Sequence, residues 1–269
     1  MITAIVSRKG GVGKTTTAVN LAAALAGQGH KVLLIDLDSQ ASTSLCLGVP
    51  RWALAPSSAD VLLNCLPAAE AVRATRLMGL YLITASTDLA SIDRELGPTP
   101  EHERQLCIAL RPIRDRYDFI IIDCPSVPSL GPLNALVAAD NFIVPAVPHY
   151  LAIEGVRNLC AYVDRLQGRH GVPTRLLGIL LTMVDYRTRA TRDNVDQLRG
   201  EFGSDVLDVE IRTNIRLAEA PSVGQTIFEY DPASSGADAY YLMAEEYLLR
   251  TRDLYSETDG TEFAASAGG

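Results

Sequence analysis

Lys9-Gly10-Gly11-Val12-Gly13-Lys14-Thr15-Thr16 carries the densest chemistry in this chain of 269 residues. A phosphate-binding loop normally reads G-x-x-x-x-G-K-[ST], with glycines that let backbone amides converge on phosphate oxygens ahead of a helix N-terminus. Here Arg8 holds the first glycine position, and a second lysine, Lys9, stands just inside the loop. Lys14 is expected to bridge the β- and γ-phosphates of a bound nucleotide, and the Thr15 hydroxyl to ligate Mg2+. Lys9 is poorly placed to serve the same loop and could instead reach phosphates held by a second copy. That geometry would make ATP the glue of a homodimer. The remaining lysine is Lys31, and all other positive charge is arginine, so two lysines in one loop stand well above background.

Acidic residues at strand C-termini supply the rest of the chemistry, because ligands of an open parallel sheet bind at that edge. Asp123 follows Phe119-Ile120-Ile121-Ile122, which places its carboxylate at a strand tip where it can hold Mg2+ directly or through water. Asp36 and Asp38 end the run Lys31–Asp38 and, two residues apart, point to the same side. Asp36 could support the hydration shell of the metal and Asp38 could position the attacking water. The competing assignment for both is capping or turn formation ahead of a helix at 41–45.

These residues need a scaffold, and the chain alternates short apolar β-rich runs with longer helical patterns, which signals βαβ units around a buried parallel sheet. Strands are expected at Ile2–Val6, Lys31–Asp36, Leu80–Thr84, Phe119–Asp123, Phe142–Val147, Leu176–Met183 and Val206–Glu210. Helices are expected at Lys14–Ala26, Glu101–Arg116, Leu130–Ala138, Ala152–Arg169, Arg189–Phe202 and Ala237–Arg250. The fold class is α/β, a P-loop NTPase with a mostly parallel twisted sheet and helices on both faces. Residues 1–250 form one domain, and the polar, small-residue-rich stretch 251–269 is expected to be disordered.

Composition narrows the field. A net charge of −8 argues against a broad nucleic-acid-coating surface but leaves room for a local patch. Such a patch is suggested by Tyr186–Arg192, with Arg187, Arg189 and Arg192 and no carboxylate among them, and by Arg212 and Arg216 further on. Arginines on two loops could contact DNA phosphates without reading sequence. They could equally be solvated helix-face residues paired with Asp193, Asp196 and Glu201. Five scattered cysteines include no C-x-x-C pair, so neither a zinc nor an iron–sulfur ligand set is suggested. No apolar run approaches the roughly 20 residues of a bilayer span, and no leader pattern precedes the first strand, so a cytosolic protein is expected.

The loop, with Leu33–Gly48, Tyr117–Ser126, Tyr150–Val156, Thr182–Thr188, Asn214–Ser222 and Glu229–Tyr240, resembles the ParA/Soj family of partition ATPases, in the deviant Walker A group that includes MinD. The resemblance implies that Lys9 crosses an ATP-sandwich dimer, that Asp38 is the switch aspartate of hydrolysis and that Asp123 is the Walker B aspartate. It implies that Asn214 lies in the adenine-contacting segment and that Arg187 and Arg216 fall on DNA-binding positions. It further implies a ParB-like partner that stimulates weak ATP hydrolysis, and a place in the cytoplasm on the nucleoid. The family usually has proline where Ser39 stands, and Pro-Arg where Arg212-Thr213 precede Asn214.

Other cargoes and classes share the same nucleotide-binding loop. The same engine could position a protein cluster such as chemoreceptors. A MinD-like membrane switch needs a basic amphipathic C-terminal helix, yet Leu254–Gly269 has no lysine or arginine and carries Glu257, Asp259 and Glu262, so no membrane binding is expected. An ATP-dependent amidating synthetase of the same superfamily would need a distinct substrate pocket, for which no motif is found.

Overall fold

The computed structural model describes residues 1–97, 101–126 and 129–266. Eight strands form one sheet: β1 (Ile2–Ile5), β2 (Val32–Asp36), β3 (Arg73–Ala74), β4 (Leu80–Ile83), β5 (Phe119–Asp123), β6 (Asn141–Ala146), β7 (Arg175–Val184) and β8 (Val206–Arg212). Their order is β3-β4-β2-β5-β1-β6-β7-β8. Every pairing is parallel except the short edge strand β3, which runs antiparallel to β4. The seven strands expected from sequence are all present, every end within two residues of its expected place, and β3 is the addition.

Continuous apolar runs become central strands because both faces of the sheet are covered. Along β2, Leu33 and Ile35 enter one apolar layer, while Val32 and Leu34 enter the other. Strand β5 divides likewise, with Ile120 and Ile122 on one face and Ile121 on the opposite one. Each such fully buried Ile or Leu contributes about 1.5–3 kcal/mol relative to its exposed state. The alanine-rich helix Lys14–Gly27 packs on the second face, where small side chains let it approach the sheet and the C-terminal helix closely.

One helical expectation is corrected and one is extended. The single helix expected over Glu101–Arg116 is a shorter helix, Gln105–Leu110, followed by a 3-10 turn at Arg114–Arg116. Pro112 lacks the amide that would continue the helix, and Glu101 lies in the left-handed region at φ 53°. The last helix runs Ser235–Ser266, longer than the Ala237–Arg250 expected from sequence. Thr251 is buried and its hydroxyl donates to the Tyr247 carbonyl at 2.8 Å, carrying the helix past Arg250. Residues 267–269 lie outside the described ones. Along its buried face, the Tyr240 hydroxyl lies 3.3 Å from Thr17 Oγ1 and the Tyr247 hydroxyl 2.7 Å from Thr3 Oγ1.

Candidate active site

The loop after β1 emerges between β5 and β6, in the middle of the C-terminal edge of the sheet. That is where chain connections diverge in open α/β sheets and where ligands bind. Gly13 adopts φ 85° as the residue entering helix Lys14–Gly27, a left-handed conformation that a side chain would strain. The helix start has no side-chain cap and no acidic residue in its first turn. Its unpaired amides and positive dipole end therefore face the loop, a cradle for an anion. Thr182 on β7 fixes the far side of the loop, its hydroxyl donating to the Val12 carbonyl at 2.8 Å.

The two lysines diverge. Lys14 is 7% exposed and turns inward, its ammonium donating to Ser126 Oγ at 2.5 Å and to the Lys9 carbonyl at 3.3 Å. Burial pulls the Lys14 ammonium below its usual pKa, a shift that the charge of Asp123 opposes. Lys9 is exposed, and its ammonium contacts His149 Nε2, beyond β6. His149 is held below the ordinary imidazole value by burial and then by the Lys9 charge.

Asp36 and Asp123 stand side by side as register partners on β2 and β5, both fully buried. Asp123 Oδ2 accepts from the hydroxyls of Thr15 at 2.8 Å and Thr43 at 2.6 Å. Asp123 Oδ1 is buried and has no protein partner. A buried carboxylate oxygen left open beside the Thr15 hydroxyl fits a hydrated Mg2+, which prefers one or two protein oxygens plus phosphates and waters. Asp36 is more fully engaged: Oδ2 accepts from the Ser44 amide at 3.0 Å and hydroxyl at 2.7 Å, and Oδ1 from the Asp38 amide at 3.1 Å. These bonds tie Asp36 to the turn that leads into the helix Ser42–Cys46. Burial pushes the Asp36 carboxyl up to about 7, with the Asp123 charge adding to it, and burial pushes Asp123 up to about 6.

Asp38 is half-buried, and its Oδ1 accepts from the Gln40 amide at 3.0 Å. The chain then turns through Ala41, which sits in the left-handed region at φ 55°, and enters the helix Ser42–Cys46. A non-glycine residue there stores strain of order 1–3 kcal/mol, held by the Thr43 and Ser44 bonds that follow. Thr43, Ser44, Ser126, Thr182 and His149 are site residues that sequence reasoning passes over. Their one visible signal is the hydroxyl-rich run Ser42-Thr43-Ser44 directly after an acidic strand end.

Asn214 lies at the same edge beyond β8, where it caps the helix Ile215–Glu219. Its Oδ1 accepts from the Arg216 amide at 2.8 Å and its Nδ2 donates to Ser235 Oγ at 3.0 Å. Three arginines named for DNA contact are ion-paired. Arg187 holds Asp185, Nε reaching its two oxygens at 2.8 and 2.9 Å. Arg189 lies 3.7 Å from Asp193, and Arg216 lies 2.9 Å from Glu219 and 3.4 Å from Asp231. Glu201 binds Arg157 instead. No helix among the described residues is long and apolar enough to cross a membrane.

An open parallel sheet with a two-lysine phosphate loop and paired acidic strand tips defines a deviant P-loop nucleotide-binding protein. Comparison with known proteins agrees: a family model described as an AAA domain matches residues 1–174. The chain is 39% identical over 254 residues to chromosome partitioning protein ParA of Caulobacter vibrioides, covering 94% of this chain and 95% of that protein. It is 42% identical over 252 residues to chromosome-partitioning ATPase Soj of Thermus thermophilus, covering 93% and 96%. Among solved structures, cobyrinic acid a,c-diamide synthase of Mycobacterium smegmatis, with bound ATP analogue and magnesium, superposes with a TM-score of 0.78 at 32% identity, covering 91% and 92%. The chain belongs to the ParA/Soj family of partition ATPases.

Proposed function

We propose that this chain is an ATP-driven partition switch for chromosome or plasmid DNA. Two ATP-loaded copies pair through Lys9, hold DNA without reading its sequence, and separate when a ParB-like partner accelerates hydrolysis. The observation that carries this is the divergence of the lysines: Lys14 is buried inside its own loop, while Lys9 is exposed and, among the described residues, its ammonium meets the side chain of His149. An ammonium held at the rim and unused by its own cradle suits the triphosphate of a second copy.

Within one copy, the amides from Gly10 to Thr16 and the Lys14 ammonium grip and align the phosphates. Thr15 and Asp123 would hold Mg2+, which when bound neutralises charge on the phosphate oxygens. Thr43 orients Asp123 from behind, and Ser44 fixes Asp36, so the loop bearing Asp38 is tied to the same two carboxylates. Asp38, less buried than Asp36 at the strand end, orients the attacking water once the loop is ordered. Asn214 stands at the adenine end. The names of the ParA and Soj relatives favour DNA over a protein cargo. The protein would then act in the cytoplasm, on the nucleoid.

Size-exclusion chromatography with light scattering tests the switch, run with ADP and with a non-hydrolysable ATP analogue and followed by a DNA shift under both conditions. A dimer and a DNA shift confined to the analogue are expected. A monomer in both states, or phosphate release that responds to a small carboxylic acid plus an amine donor and not to DNA, would replace this function with ligase chemistry.

A further inference from the structure

We propose that His149 joins Lys9 in gripping the triphosphate of a second copy, and that it makes the pairing of copies proton-linked. The inference deepens the function proposed above and rests on its reading of Lys9. It adds an imidazole to the phosphate contacts and a pH dependence to the switch.

The turn after β6 holds the imidazole in one orientation. The His149 carbonyl accepts from the Ala152 amide at 2.8 Å, closing the turn that opens the helix Ala152–His170. The Leu151 amide donates to His149 Nδ1 at 3.1 Å. A neutral imidazole carries one N–H and one acceptor nitrogen, so a donor at Nδ1 leaves the proton on Nε2. Nε2 is the atom that meets the Lys9 ammonium. Two N–H donors therefore face each other with no acceptor between them. The opposite tautomer moves the conflict to Nδ1 and the Leu151 amide without removing it. An anionic oxygen placed beside both groups satisfies both at once.

The surroundings supply no anion of their own. Lys9 and His149 line a cleft of about 210 Å3 between the phosphate loop and the start of the helix Ala152–His170. Its other ionisable group is Arg8, which adds positive charge, and its wall is apolar, with Val144 and Ala146 from β6 and Val156 from the helix. The helix Arg189–Phe202 reaches the same turn with neutral Asn194, whose Nδ2 donates to the Pro148 carbonyl at 3.5 Å. The Tyr150 ring stands edge-on, 6.4 Å from the imidazole centre. Burial, and then the Lys9 charge, hold His149 below its ordinary value, so the ring is neutral near pH 7 in a single copy. A phosphate oxygen beside the ring acts in the opposite sense, because negative charge favours the imidazolium. Pairing then takes up a proton at His149, and linkage makes pairing tighter as pH falls.

Sedimentation velocity of the full chain with a non-hydrolysable ATP analogue, at pH 6, 7 and 8, measures the dimer dissociation constant. Wild type is expected to pair at least about threefold more tightly at pH 6 than at pH 8. Asp36 and Asp123 titrate in the same window, so the imidazole is isolated by comparison with His149→Gln. Glutamine keeps an N–H donor but takes up no proton. His149→Gln should pair within about threefold of wild type at pH 8 and lack the added tightening at pH 6. His149→Ala, with no donor, should pair about tenfold more weakly at pH 8. Nitrogen-15 NMR of the imidazoles supplies a second readout: His149 should titrate at higher pH in the analogue-bound dimer than in the ADP-bound form. Inorganic phosphate added to the ADP-bound form should not reproduce that rise; an equal rise would assign the site to a free anion and overturn the second-copy source. His149→Gln with the wild-type pH dependence, or an imidazole that keeps its ADP-state titration in the dimer, overturns the role of His149 and leaves Lys9 in place. Wild type that stays monomeric with the analogue at every pH overturns the reading of Lys9 itself.

Discussion

Thr43 and Ser44, adjacent in sequence, hold opposite partners: Thr43 donates to Asp123 on β5 and Ser44 to Asp36 on β2. One helical turn therefore clamps two neighbouring strand tips, and the loop carrying Asp38 cannot move without loosening both carboxylates. The clamp makes Thr43 a positioning residue. Replacing it by valine, of similar shape, removes one of two donors that orient Asp123. Thr43→Val is expected to weaken Mg2+-dependent nucleotide binding about 10- to 100-fold, the range for supporting partners of metal ligands. Titration of a fluorescent ATP analogue with Mg2+ and with EDTA measures this, and equal losses in both would assign Thr43 to folding alone.

The two aspartates also set a pH dependence. Asp36 is pushed up to about 7 and Asp123 to about 6, burial being the first cause of each. Between an unfolded value near 4 and these folded values, the native state binds more protons than the unfolded chain. Stability therefore falls as pH rises through that window. In EDTA and without nucleotide, Tm should drop from pH 5 to pH 7.5, and Asp36→Asn should flatten the drop. A wild-type Tm that climbs over this interval contradicts the sign.

Lys9→Ala removes the exposed ammonium and leaves the inward Lys14 untouched. Nucleotide affinity should stay within about threefold, since Lys9 adds little to its own cradle, while the ATP-dependent dimer disappears. Light scattering that finds a dimer in this variant would remove Lys9 from the interface.

Asp38→Ala should bind ATP and pair normally but turn over at least 100-fold more slowly, the usual cost of losing a positioned acid–base group. Single-turnover phosphate release measures the step. Wild-type rates would transfer water positioning to another side chain.

Gly178 on β7 tests the fold alone. A methyl group there would lie 2.0 Å from Leu207 Cδ1 on β8. Gly178→Ala should cost about 1–3 kcal/mol as overpacking and lower Tm without altering nucleotide affinity relative to the folded fraction. An unchanged Tm would mean Leu207 relaxes freely.

Local chemistry was the legible part. Continuous apolar runs such as Phe119–Ile122 announce central strands, and the spacing from Lys9 to Thr16 announces a phosphate loop, because each depends on near neighbours. What stayed hidden depends on distant ones. Thr43 reaches Asp123 across 80 residues and Thr182 reaches Val12 across 170. No periodicity encodes those pairings. Arginine pairing was opaque for the same reason: Glu201 sits beside the arginine-rich stretch in sequence yet binds Arg157. The break at Pro112 was visible in the sequence, but the helical pattern on either side obscured it.

Tyr240 and Tyr247 wall the rear of the sheet by meeting Thr17 and Thr3, residues a ribosome makes more than two hundred codons earlier. Until that late segment clears the exit tunnel, the P-loop helix has the sheet but lacks its cover from the last helix, and the parallel sheet waits on its most remote contacts. Nascent chains should thus gain nucleotide competence abruptly once Tyr247 has emerged, and not strand by strand as the earlier elements appear.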